Sequence, residues 1–253
     1  MGETSVHEKS KAVTGAAPAG ATDPASASRA VRDMFTEIAP RYDLLNHLLS
    51  ANVDKLWWRR TARTFRSILS RRQAQVLDLC CGTGDMAFAL RRHGPESHVT
   101  GADFSHAMLV LASAKSGDRP VRWIEADALK LPFPDQSFDL VTSAFGFRNL
   151  ADYDAGLREI RRVLRPGGEF GILEFSEPKG LLGKLYNLYF KRILPRIGRL
   201  ISGAKDAYSY LPSSVERFPE PPELMLRMQD AGFREVVWTP YTFGIAGLYR
   251  GKR

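Results

Sequence analysis

From Val76 to Asp85 the chain reads Val-Leu-Asp-Leu-Cys-Cys-Gly-Thr-Gly-Asp, an apolar run carrying Asp78 that breaks at Gly82 and Gly84. A strand that enters such a turn and leaves as a helix near Asp85 lets the backbone approach a ligand that a Cβ would push away. Asp103 stands 19 residues beyond Gly84, at the end of the next apolar run. There a carboxylate can accept hydrogen bonds from both hydroxyls of a ribose. Glu125-Ala126-Asp127-Ala128 ends a third run with an acid–amide step suited to an adenine edge. The chemistry on offer is the binding of a nucleoside.

Gly82-x-Gly84-x-x-Ala87 satisfies the dinucleotide spacing, so an NAD(P)-dependent or flavin oxidoreductase is one reading. Asp78 and Asp85 flank the glycines with negative charge that would repel a pyrophosphate. Together with Asp127-Ala128 they favour S-adenosyl-L-methionine, whose ammonium Asp78 could meet through water. Thr83 offers a hydroxyl and an amide to the methionine carboxylate. Plainer roles stand beside these: Thr83 as a turn former, Asp103 or Ser105 as a helix cap, Asp127 as a solvated loop acid. Arg148 follows a fourth apolar run, Phe138–Ala144, and could stabilise a phenolate or orient a water. Its plainer role is an ion pair with Asp152 or Asp154. Tyr42 and Asn46 precede the first strand and could cover the cofactor as a lid or serve helix packing alone. Cys80 and Cys81 are adjacent, without His or Cys partners, and read as small fillers of a buried turn. No metal site is expected.

These residues need a scaffold, and the pattern supplies one. Strands are expected at Gln75–Leu79, His98–Asp103, Val121–Glu125, Phe138–Ala144 and Glu169–Phe175. Helical segments lie between them, running to about Arg92, to about Lys115 and over Ala155–Leu164. That alternation predicts a parallel α/β sheet with helices on both faces. After Phe175 it breaks. Leu181–Ile201 is apolar and basic, a Tyr- and Pro-rich loop follows, and a helix is expected over Pro222–Ala231. Runs near Val236–Tyr241 and Ile245–Tyr249 are too close for a crossover and must pair antiparallel. Residues 1–28 read as a disordered tail, with structure from about Ala30. Residues 29–253 then form a single domain, with a helical cap over 29–72 and an insertion or lid over 181–215.

The chain has 253 residues with 36 Lys plus Arg against 28 Asp plus Glu, a net charge of +8. With 44% hydrophobic and 25% charged residues it is an ordinary globular composition, which excludes overall disorder and collagen-like or disulfide-stapled classes. Two cysteines without a framework point to a reducing, intracellular compartment. The sequence shows neither a signal peptide nor a run of about 18 apolar residues. Lys184, Lys191, Arg192, Arg196 and Arg199 fall within Leu181–Ile201, which contains no acid. The segment suits an amphipathic helix on a membrane surface or at a greasy substrate entrance, and equally a core-packing helix with a solvated basic face. Nucleic-acid binding fits less well, since no winged-helix, zinc-finger or RRM-type motif occurs.

Asp78-Leu-Cys80-Cys-Gly82-Thr-Gly84 resembles the first motif of class I S-adenosylmethionine-dependent methyltransferases, with Cys80 in place of its first glycine. A closer resemblance is to the ubiquinone/menaquinone biosynthesis C-methyltransferases. It is carried by Tyr42-Asp43-x-x-Asn46 with Trp57-Trp58, by Phe145-Gly146-Phe147-Arg148-Asn149, and by Arg162-Val163-Leu164-Arg165-Pro166-Gly167-Gly168. Leu194-Pro195-Arg196-Ile197-Gly198 and Tyr208-x-Tyr210-Leu211 extend it. Leu45 and Asp54 depart from that family's usual Met and His, and Ala144 from its small polar residue. The resemblance implies a Rossmann-like, seven-stranded mixed sheet with an N-terminal helical cap. It also implies methyl transfer from S-adenosyl-L-methionine to a ring carbon of a lipid-tailed quinol, without a metal. The protein would be cytoplasmic, either free or peripheral at the inner face of the membrane. Modification of RNA or of another small molecule is the alternative within the fold.

Overall fold

Leu77, Val76 and Leu79 are buried, as are Leu140 and Val141, so neighbouring side chains on both faces of these runs are covered. Only a parallel sheet flanked by helices on both sides buries strands this way. The computed structural model describes residues 15, 16, 18, 20–41, 52–118, 120–178 and 205–253. Its strands are β1 (Gln75–Leu79), β2 (His98–Asp103), β3 (Val121–Glu125), β4 (Phe138–Ala144), β5 (Leu164–Phe175), β6 (Arg234–Tyr241) and β7 (Ala246–Lys252). They form one seven-stranded sheet in the order β3-β2-β1-β4-β5-β7-β6. β7 runs antiparallel to both β5 and β6, as the short spacing before it requires. The first four strands have the expected bounds.

Helices α1 (Pro24–Ile38), α2 (Val53–Thr64) and α3 (Arg66–Leu69) precede the sheet. Then come α4 (Asp85–His93), α5 (His106–Ser116), α6 (Tyr153–Val163), α7 (Lys205–Arg217) and α8 (Pro221–Asp230). Two apolar layers sandwich the sheet. One gathers Leu77, Leu79, Val141 and Phe170 with Leu157 and Leu224 of α6 and α8. The other gathers Val76, Leu140 and Leu173 with Trp57, Phe65 and Leu90. None of the helices among the described residues is long and apolar enough to cross a membrane.

Three expectations are corrected. Helix α1 begins at Pro24, inside the stretch read as disordered tail. Asp23 and Ser26 form a reciprocal capping box, and Pro24 fits the first helical turn. The small side chain of Ala27 is fully buried, and Ala16 N–H donates to Leu150 O at 2.7 Å. Close approach of small residues thus replaces the large apolar anchors that the tail lacks. The Tyr- and Pro-rich loop contains a helix, α7, with Pro212 inside it. Burial of Tyr210, Ser214 and Val215 outweighs the roughly 3 kcal/mol that an interior proline costs. Finally, β5 starts at Leu164, and Arg165-Pro166-Gly167-Gly168 is taken up as an irregularity opposite Phe138 and Leu140. Tyr42, Asn46 and Leu181–Ile201 lie outside the described residues.

Candidate active site

Strand order reverses between β1 and β4, and crevices open at the carboxyl ends of strands at such points. A pocket lies there, with about 650 Å³ of empty space when the solvent at its open mouth is included. The end of β1 supplies Leu79, Cys80 and Gly82, that of β2 Asp103 and Phe104, that of β3 Ala126 to Leu129, and that of β4 Phe145, Gly146 and Asn149 to Ala151. Ser28 and Phe35 of α1 and Met108 of α5 close it from the other side.

The turn after β1 is shaped by three residues with positive φ: Cys80 (55°), Gly82 (52°) and Gly84 (87°). A Cβ on Gly84 would stand 2.5 Å from the ring of Trp123 on β3, so this glycine serves helix–strand packing rather than a ligand. Gly82 is the one that lines the cavity. Cys80 carries a Cβ where its backbone favours glycine. Room for it comes from the adjacent strand, because a Cβ at Gly146 would lie 2.4 Å from that of Cys80. The two cysteines are free thiols, and burial raises the pKa of both.

Asp103 is the buried acid of the site. Its Oδ2 accepts from Gly82 N–H at 2.8 Å and its Oδ1 from Ser105 N–H at 2.9 Å. Burial raises its pKa to about 6. Ser105 occupies the cap position of α5, but neither its side chain nor that of Asp103 caps the helix. Asp78 lies beneath the turn, fully buried, and accepts from Thr142 Oγ1 at 2.9 Å. Burial raises it to about 7, and it does not line the cavity. Thr83 is not among the residues lining the cavity; its hydroxyl accepts from Lys115 Nζ, which also binds Asp85. Asp127 and Ala128 both line the cavity, and Asp127 Oδ1 accepts from Leu129 N–H.

The wall after β4 is held differently. Phe145 has φ of 59°, a strained conformation for an aromatic residue. Its N–H donates to Leu173 O, and its ring packs on Phe175 and Trp57 at centroid distances of 4.4 and 5.7 Å. Phe147–Asn149 forms a 3-10 turn. Behind it, Arg148 is buried with its guanidinium 3.0 Å from Glu174, and Glu174 Oε1 accepts from Arg148 N–H. The guanidinium also donates to Phe145 O and to Ser214 of α7. Arg148 thus pairs with neither Asp152, which caps α6, nor Asp154, which binds Arg227. Asn149 lines the cavity and accepts a hydrogen bond from Tyr210.

Phe35, Ser28, Asn149 and Glu174 had no assigned role in the sequence. The capping box Asp23-Pro24-x-Ser26 was the signal that α1 starts at Pro24. Nothing local marks Glu174, whose partner lies one strand away. Among the described residues no group of three or more His, Cys, Asp or Glu could hold a metal.

A model of the ubiE/COQ5 methyltransferase family matches residues 23–253. The demethylmenaquinone methyltransferase of Deinococcus radiodurans is 50% identical over 89% of this chain and 93% of its own length. That of Thermus thermophilus is 51% identical over 87% of this chain and all of its own. Among solved structures, a SAM-dependent methyltransferase from Thermotoga maritima superimposes with a TM-score of 0.62 at 19% identity, covering 88% of this chain and 99% of that one. That likeness extends to the class I methyltransferase fold.

Proposed function

The chain belongs to the ubiE/COQ5 methyltransferase family, and from that premise we propose that it methylates a ring carbon of a polyprenylated quinol, converting demethylmenaquinol to menaquinol. The methyl donor is S-adenosyl-L-methionine. One observation carries the reading: the charged side chains lining the cavity, among the described residues, are Asp103 and Asp127, with no cation. A sulfonium bearing an ammonium matches that field. A nicotinamide dinucleotide would set its pyrophosphate against it.

The donor brings an already activated methyl group: as its bond to the ring carbon forms, the S–CH₃ bond breaks, sulfur keeps the electron pair and the ring hydrogen leaves as a proton. The chain's own part is binding and alignment. Asp103 has lone pairs free beyond its two backbone donors and takes the ribose hydroxyls. Gly82 allows backbone contact with the donor. Asp127 and Ala128 face the adenine edge, with Met108 and Leu129 as apolar walls. Asp78 holds the turn from below. Arg148, engaged by Glu174, keeps the 145–149 wall in place rather than abstracting a proton. Tyr42 belongs to the cover over the site. The cations and apolar residues of Leu181–Ile201 meet the lipid tail or the inner face of the membrane.

Purified protein supplied with labelled S-adenosyl-L-methionine and demethylmenaquinol should release labelled menaquinol. Mass spectrometry of cells lacking the protein should show accumulated demethylmenaquinone. An accumulated benzoquinone precursor would move the substrate to the ubiquinone branch. Saturable NAD(P)H binding without S-adenosyl-L-methionine binding would overturn the class.

A further inference from the structure

We propose that Tyr210 is a positioning residue that fixes the side-chain amide of Asn149, so that its Nδ2–H₂ group is presented as donor to the ring oxygen beside the methylated carbon. This rests on the quinol reading above. Tyr210 sits on α7, which the chain reaches only after the Leu181–Ile201 segment, and it packs against Ala16 and Val31 near α1 and the cavity. Its hydroxyl donates to Asn149 Oδ1 at 3.1 Å. Burial raises the phenol pKa, so the group remains a donor throughout the neutral range.

An asparagine amide has one acceptor end and one donor end. With Oδ1 turned toward the Tyr210 hydroxyl, the donor end faces away from it, and no described residue accepts from that end. The backbone of Asn149 is fixed as well. Its N–H donates to Gly146 O at 3.0 Å, and the preceding residue is clamped by Glu174. Helix α7 makes a second bond to the same turn, Arg148 Nε to Ser214 Oγ at 3.4 Å. Two consecutive residues of this turn, one of them lining the cavity, are therefore held from one helix.

Attack by the ring carbon requires that the adjacent hydroxyl first lose its proton, and the resulting quinolate oxygen carries the negative charge that passes into the ring as the C–CH₃ bond forms. A neutral, oriented N–H stabilises that charge without repelling the sulfonium. A carboxylate in the same place would do the reverse. A freely rotating amide would offer its oxygen half the time.

The test is steady-state kinetics of the full chain with S-adenosyl-L-methionine and demethylmenaquinol, for wild type, Tyr210→Phe, Asn149→Ala and the double variant. Tyr210→Phe should lower kcat about 10- to 100-fold, the scale of one misaligned donor. Cofactor affinity should stay within about twofold, and the alkaline shift of the pH–rate profile should mark a less stabilised quinolate. Adding Tyr210→Phe to Asn149→Ala should cost nothing more. Unchanged kcat in Tyr210→Phe, or losses that multiply in the double variant, would overturn the proposal. If Tyr210→Phe also lowers Tm, the Asn149 side-chain amide signals in ¹⁵N NMR decide: unchanged shifts and linewidths count against the orienting role, and broadening supports it. A wild type that binds the donor but does not methylate the quinol sinks the substrate reading instead, and is seen before any variant is compared.

Discussion

On one side of the cavity Gly82, Asp103 and Asp127 each follow or end a parallel strand, and their bonds reach no farther than the neighbouring turn. On the other side Phe145, Gly146 and Asn149 are held by Phe175 and Glu174 of β5, Trp57 of α2 and Tyr210 of α7. The first side, which the proposed function gives to the methyl donor, is built from local strand–turn–helix geometry. The second, which it gives to the acceptor, is assembled from segments more than fifty residues apart in places, and its charges are buried as a pair. A local site tolerates changes elsewhere in the chain, whereas an assembled one is exposed to every segment that contributes.

The contrast can be broken most forcefully at Glu174. Changing Glu174→Gln leaves the guanidinium of Arg148 buried without its counter-charge, at a cost of about 3 to 5 kcal/mol in urea unfolding. A loss below about 0.5 kcal/mol would mean that the acceptor wall does not depend on this pair. Asp103→Ala should leave the acceptor wall intact but weaken S-adenosyl-L-methionine binding about 100-fold by calorimetry, or about 2.7 kcal/mol. Unchanged affinity would remove Asp103 from the ribose contact. At the seam, Gly146→Ala should cost about 1 to 3 kcal/mol of stability through the clash with Cys80. Cys80→Gly in the same chain should restore most of that, measured as a recovered Tm.

The smallest effect separates binding from folding by pH. The Asp103 carboxyl has a pKa of about 6 in the fold, above its ordinary 3.8. Protonation removes an acceptor for ribose, so cofactor affinity should fall about tenfold from pH 7.5 to pH 5. Stability of the unliganded chain has the opposite sign. The folded state binds the proton more tightly, so this group's contribution is complete below about pH 4 and lost as pH rises through 6. Asp78 acts in the same direction up to about 7. Asp103→Asn should flatten the affinity profile, and a persisting slope would assign it to another group.

The donor side was largely legible in the chain because it is local. The bounds of β1 to β4 follow from apolar runs ended by acids and glycines, and Gly82, Asp103, Asp127 and Ala128 were placed from that pattern. The bond that Thr83 receives from Lys115 was not legible, because Lys115 lies at the far end of the next helix but one. The acceptor side was legible only as strings of residues without partners. Arg148 was visible, but its nearest acids in sequence, Asp152 and Asp154, are drawn away by a helix cap and by Arg227. Helix α7 was hidden by Pro212, and the first turns of α1 by a run of small residues whose burial no hydrophobic count detects.

Cys80 stands where a glycine is usual in the turn after the first strand, yet the crowding is relieved by Gly146 at the end of the strand beside it. In space the site has kept its glycine and only moved it across the sheet. The signature of this turn is then a shared volume between two strands rather than a string in one, and a search for it belongs at both strand ends together.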